Sequence, residues 1–153
     1  MSSIAFVGWT DPEDDFSILI DCYEILKPLK ITRHDFIDLN KGRDFLKEDK
    51  TYDIIVLIYI FLYSSEEMKD DGLYHPNDPL TKTSPLHTKE NWRKRLLASQ
   101  AKDILIFGLY EDSEITGKYI GNLSGYVATE IELRRSDTIY KRVWRYEYKD
   151  INY

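Results

Sequence analysis

The sequence predicts an α/β domain on a mostly parallel sheet of about five strands, and three observations carry that reading. Apolar, strand-like runs at residues 4–8, 53–63 and 103–109 are separated by polar stretches with helical patterning. Within the middle run, Ile54-Ile55-Val56-Leu57-Ile58-Tyr59-Ile60-Phe61-Leu62 is apolar at every position, as a strand covered on both faces can be. The intervening stretches are long enough to supply the crossover helices that parallel neighbours require. Ligands of such sheets gather beyond the carboxyl ends of the strands.

Taken in order, the first strand leads into Gly8-Trp9-Thr10-Asp11-Pro12-Glu13-Asp14-Asp15, where Asp11 is placed to cap a helix, Pro12 to open it and the acids to fill its first turn. Phe16, Leu19, Ile20, Tyr23 and Leu26 recur at helical spacing and form one apolar stripe, which ends before Pro28. Residues 31–39 read as a second strand, Asn40-Lys41-Gly42 as a turn, and 43–47 as a short helix. Residues 64–87, with Gly72, Pro76, Pro79 and Pro85, read as a long loop. A helix capped by Ser84 or Thr88 then carries Trp92, Leu96 and Leu97 towards the core and ends near Lys102.

The segment from Ser124 to Leu133 fits two patterns. Val127, Ile131 and Arg134 fall on successive helical turns, whereas Val127, Thr129, Ile131 and Leu133 alternate as in a strand. The helix is favoured because a parallel topology needs a crossover there. The tail, 138–148, alternates as a strand with charges on both faces, which predicts an edge position. Together these elements predict a three-layer sandwich of the Rossmann-like or flavodoxin-like kind, with its edge strand at the C-terminus.

A chain of 153 residues makes one domain and buries roughly 68–70% of its unfolded surface. The lone cysteine, Cys22, excludes an internal disulfide and offers no metal-ligand pair, so a reducing, cytoplasmic setting is expected, with neither metal nor cofactor. Met1-Ser2-Ser3 runs straight into a strand without the basic and apolar segments of a signal peptide. Twenty-seven acids against twenty-one bases give a net charge of −6, which disfavours nucleic acid and anionic membranes as direct partners.

Several sites common on such folds are missing. No G-x-G-x-x-G follows the first strand, no G-x-x-x-x-G-K-[ST] supplies a phosphate cradle, and no G-x-S-x-G supplies an elbow serine. The end of the third strand offers tyrosine and serine where a receiver domain would carry its aspartate.

What remains is a set of candidates, each with a plainer alternative. Gly8, Trp9 and Asp11 lie in the loop beyond the first strand and are ligand-binding candidates, although Asp11 with Glu13, Asp14 and Asp15 is equally explained by helix capping. Four carboxylates there repel phosphate and favour a neutral nucleoside or sugar. In the long loop His75 and His87, near Asp78 and Glu90, supply the parts of a base and its orienting carboxylate; solvated loop histidines are the commoner case. The bases Arg93, Lys94 and Arg95 read as a solvated helical face, and Tyr140, Trp144, Tyr146 and Tyr148 as an aromatic strand face under a helix.

The run Ala101-Lys102-Asp103-Ile104-Leu105-Ile106-Phe107-Gly108, preceded by the Trp92 helix and followed by Ser124-Gly125 and Glu130-Ile131, resembles the nucleoside 2-deoxyribosyltransferase-like group. The resemblance extends to Ile4-Ala5-Phe6-Val7-Gly8, covers short patches only, and has Leu123 where the group usually carries an acid. It implies that Asp103 opens the fourth strand, that Ser124 and Gly125 form a small-residue turn, and that Glu130 on the following helix attacks the anomeric carbon. A carboxylate can trap an oxocarbenium-like centre as a covalent ester, which water or a second base resolves. The expected function is thus binding of a nucleoside-like small molecule, with cleavage or transfer at an N-glycosidic bond through Glu130. The competing expectation is a non-catalytic interaction module of regulatory or immunity type, with a protein partner or a homo-oligomer.

Overall fold

The computed structural model describes residues 2–8, 11–14, 16–27, 29, 31–58, 89–107 and 119–149. Six strands, β1 (Ser2–Gly8), β2 (Ile31–Asp38), β3 (Ile54–Ile58), β4 (Asp103–Phe107), β5 (Tyr126–Arg135) and β6 (Thr138–Tyr148), form one sheet in the order β2-β1-β3-β4-β6-β5. The helices among the described residues are α1 (Phe16–Leu26) and α2 (Lys89–Ser99), with short 3-10 turns at Pro12–Asp14, Leu39–Lys41 and Phe45–Lys47.

The first four strands pair in parallel, whereas β6 runs antiparallel to β4 and β5 antiparallel to β6. The sheet is therefore mixed, and the expected mostly parallel Rossmann-like or flavodoxin-like sandwich of about five strands is not what forms. The cause is local. Residues 126–135 are a strand and supply no crossover, and two residues, Ser136 and Asp137, then reverse the chain. So short a connection can join only antiparallel neighbours. Ser136 meets its geometry with a φ of 54°.

Two cores flank the sheet. On one face, Ile18, Leu19, Cys22 and Leu26 of α1 cover Ile4, Phe6, Ile54, Val56, Ile58, Leu105, Phe107, Leu133 and Val143. On the other, Trp92 and Leu96 of α2, with Phe45, Tyr52, Ile120 and Leu123, cover Ala5, Val7, Ile55, Leu57, Ile104, Ile106 and Tyr146. All five residues of β3 and all five of β4 are buried and, apart from Asp103, apolar, which is why these two strands read as apolar runs. Each of the apolar side chains contributes roughly 1.5–3 kcal/mol by leaving water.

Helix α1 buries a face rotated from the expected one. Ile20 is 66% exposed and Tyr23 41%, whereas Asp21 is buried. The reason lies across the sheet: Lys141 Nζ stands 2.9 Å from Asp21 Oδ2, and Tyr140 donates to Asp21 Oδ1 at 2.7 Å. A bulge lets two consecutive residues of β6 reach one carboxylate. Leu133 pairs with Lys141 and Arg134 with Ile139, which leaves Tyr140 as the extra residue.

Strand β6 is also not the edge that its charges suggested. It lies between β4 and β5, because its cations are partnered: Lys141 by Asp21, Arg145 by Asp103, and Arg142 by Glu130 and Glu132 at 3.8 and 4.0 Å. Leu97, expected in the core, is 40% exposed at the outer side of α2. The long loop at 64–87 lies outside the described residues.

Candidate functional site

The carboxyl end of the parallel strands is where a ligand site was expected, and Gly8 stands there, level with Asp38 on β2 and Ile58 on β3. A side chain at Gly8 would meet the Ile58 carbonyl oxygen at 2.8 Å, so close strand packing accounts for this glycine. Asp11 is engaged in its own turn: its Oδ1 accepts from Glu13 N at 2.9 Å, and its carbonyl accepts from Asp14 N at 2.9 Å. Glu13 in turn reaches His34 Nε2 at 3.4 Å. Trp9 and His87 lie outside the described residues.

Asp103 opens β4 as expected, but it is buried and held by a bidentate partner. Arg145 donates from Nε to Oδ1 at 3.0 Å and from Nη2 to Oδ2 at 2.7 Å. Its remaining arm, Nη1, donates to the Ile25 carbonyl at 3.2 Å, where a cation suits the end of α1. The Asp103 pair raises the Arg145 pKa above its ordinary value, against the opposing effect of burial. Asp103 thus fastens β4, β6 and α1 together.

Ser124 and Gly125 form a turn, as expected, at the amino-terminal end of β5. Gly125 takes a φ of 85° and lies against the Tyr148 ring, which would stand 3.1 Å from a Cβ. The turn is closed by Tyr126 N donating to the Leu123 carbonyl at 3.0 Å and by Lys149 N donating to the Gly125 carbonyl at 2.8 Å.

Glu130 sits on a strand, where a helix was expected. It is paired across the ladder with Trp144 and exposed to solvent, with Arg142 Nε 3.8 Å from its carboxylate. Four strand spacings separate β5 from β1, about 19 Å, so Glu130 and Gly8 do not face one pocket. Along β5, Glu130 is about 13 Å from Tyr126, the residue that follows the Ser124-Gly125 turn. The candidates therefore fall in three places: Gly8 and Asp11 near one corner of the sheet, Asp103, Ser124 and Gly125 at its opposite end, and Glu130 on its rim.

An open cleft of about 530 Å³ lies elsewhere, between residues 45–52 and the last turn of α2, floored by Phe45, Tyr52 and Ile55. Its polar rim is largely engaged internally: Glu48 with Arg43, Lys50 and the Tyr52 hydroxyl with Asp35, and Ser99 with the Leu96 carbonyl. Among the described residues no group of three or more His, Cys, Asp or Glu could hold a metal ion, and no helix is long and apolar enough to cross a membrane.

The feature that sequence reasoning missed is the rim itself. Strand β5 is ten residues long and ends the sheet, with Val127, Thr129, Glu130, Glu132, Arg134 and Arg135 exposed. Beside it lie aromatics of β6, of the segment that leads into β5 and of the first residue of β5. Tyr119 packs on Trp144 at 4.6 Å and Tyr126 meets Tyr148 at 5.4 Å, with Tyr119 and Tyr148 41% and 51% exposed. The alternation of Val127, Thr129, Ile131 and Leu133 carried this signal, but the need for a crossover outweighed it. Comparison with known proteins finds no matching family model, no matching curated protein and no matching solved structure.

Proposed function

We propose that the chain is a non-catalytic protein-interaction module, working in a reducing, cytoplasmic setting, and that it binds through the β5 end of its sheet. The observation that carries this reading is the open rim. In an antiparallel ladder alternate residues turn their backbone groups inward and outward. Because Lys149 donates to Gly125, the odd-numbered residues of β5 face β6, and Ala128, Glu130 and Glu132 direct their N–H and C=O groups away from the sheet. Such an edge accepts a further strand through main-chain hydrogen bonds, while neighbouring side chains select it. Half-exposed tyrosines and a tryptophan alongside supply the residue types that anchor protein interfaces. The other end of the sheet is less open, since Arg43 donates to the Phe36 carbonyl of β2.

Glycosidic chemistry draws no comparable support, because its nucleophile, Glu130, lies about 19 Å across the sheet from Gly8. Chromatography for free base after incubation with nucleosides, deoxynucleosides and nicotinamide dinucleotide tests the two readings against each other. The module reading predicts no release by the parent chain. Release that disappears in Glu130→Gln would overturn it. A photo-crosslinking residue at Thr129 should capture a protein, and one at Leu46, on the far side of the molecule, should not.

A further inference from the structure

We propose that the occupant of the β5 rim is the β5 rim of a second copy, paired antiparallel about a two-fold axis at Glu132; this rests on the interaction reading above and names its partner. The rim is self-complementary. Its acids, Glu130 and Glu132, precede its bases, Arg134 and Arg135, so reversing a copy brings the basic end of one strand beside the acidic end of the other. Charged rims ordinarily discourage edge pairing. Here the charge order discourages other strands and matches an antiparallel copy.

The register follows from three requirements. Residues that turn their backbone groups outward must oppose one another, which pairs even numbers with even. Away from the axis, acids must meet bases, and apolar residues must meet apolar residues. With Glu132 opposite itself, Glu130 faces Arg134 of the second copy and Arg134 faces its Glu130. On the other face Ile131 meets Leu133 and Leu133 meets Ile131. Residues 129–135 of each strand take part. Sliding by one step towards the amino end sets Glu130 against Glu132 twice, and sliding the other way shortens the contact and sets Ile131 against Arg135. The two glutamates on the axis are each neutralised within their own strand, by Arg134 Nη2 at 2.9 Å from Glu132 Oε2. The bulge does not interrupt the contact, because its extra residue, Tyr140, is on β6 and β5 keeps a regular alternation. Two such chains would share one continuous sheet.

The test is sedimentation of the full chain between about 1 and 300 μM, the range expected of a small interface, combined with single-cysteine crosslinking. The expected result is a mass rising with concentration towards twice 18.2 kDa. Under mild oxidation Glu132→Cys should form a disulfide dimer, and Thr129→Cys, which lies far from its own copy in this register, should not. Cys22 is fully buried and does not compete. Glu130→Arg or Arg134→Glu alone should weaken association at least tenfold, and the two together should restore it. Monomer at every concentration without Glu132→Cys crosslinking overturns the self-pairing, as does equal crosslinking at Thr129→Cys. If a Thr129 photo-crosslink then captures a different protein, only the identity of the partner has failed; if it captures nothing, the interaction reading fails as well.

Discussion

Lys141 Nζ lies 2.9 Å from Asp21 Oδ2, with both side chains almost completely buried between β6 and α1. The pair also explains how a polar residue sits on the core face of a helix. A buried ion pair adds little net stability over an apolar pair, but removing one member strands a charge. Lys141→Met should therefore lower the unfolding free energy by about 3–5 kcal/mol in urea titration. Asp21→Leu combined with Lys141→Met should recover most of that loss, because the half-buried Tyr140 hydroxyl can turn to water.

Arg145 and Asp103 should behave as a structural clamp, with no role in ligand binding. Arg145→Lys keeps the charge but loses the bidentate fork and the bond to the Ile25 carbonyl, and should cost about 1–2 kcal/mol. Arg145→Met leaves a buried carboxylate unpaired and should cost about 3 kcal/mol or more. Denaturant midpoints at constant slope would show both.

Among the described residues, Gln100 at the end of α2, with φ 57°, and Ser136 in the hairpin, with φ 54°, are non-glycine residues in the left-handed region. A side chain there crowds its own backbone, and glycine relieves the crowding. Gln100→Gly and Ser136→Gly should each raise stability by about 0.5–1 kcal/mol, measurable as an increase in Tm of a few degrees. Ala at either position keeps the Cβ and should leave it nearly unchanged.

Stability should fall in alkaline solution. Burial raises the pKa of the Cys22 thiol above its ordinary 9.0, and burial likewise raises the Tyr146 and Tyr126 phenols above their ordinary 10.0. A group whose folded pKa is raised contributes stability that is complete below its unfolded pKa and is lost as pH climbs above it. Each fully titrating group adds a slope of about 1.4 kcal/mol per pH unit. Unfolding free energy should hold steady up to about pH 8.5 and decline beyond. Tyr146→Phe should flatten the decline above pH 10, although it forfeits the 2.7 Å bond to the Gly121 carbonyl and lowers stability at neutral pH.

The parts of the fold readable in the sequence are those where burial decides identity. β3 and β4, covered on both faces, announce themselves as apolar runs, and β6 shows its alternation at the bounds it adopts. Helices α1 and α2 were placed by Leu19, Leu26, Trp92 and Leu96, whereas Asp11 caps the 3-10 turn at Pro12–Asp14 ahead of α1, and Ser84 and Thr88 lie outside the described residues. What misled was charge and context. The apolar stripe of α1 leaves Asp21 out, and charges such as Lys141 make β6 read as an edge, because Asp21 and Lys141 neutralise each other across 120 positions, which no local pattern reveals. At residues 126–133 the local alternation was right and the global demand for a crossover was wrong. The candidate site inherited that error, since Glu130 could face Gly8 only from a helix packed over the sheet.

Amide hydrogen exchange along β5 tests the interaction reading most directly. In dilute protein the amides of Val127, Thr129, Ile131 and Leu133, bonded to β6, should be protected, and those of Ala128, Glu130 and Glu132 should exchange quickly. Slowing of the second set alone, as concentration rises or a partner is added, is the result the open rim predicts. Equal exchange of both sets, or an even-numbered set unaffected by concentration and by any partner captured at Thr129, would contradict it.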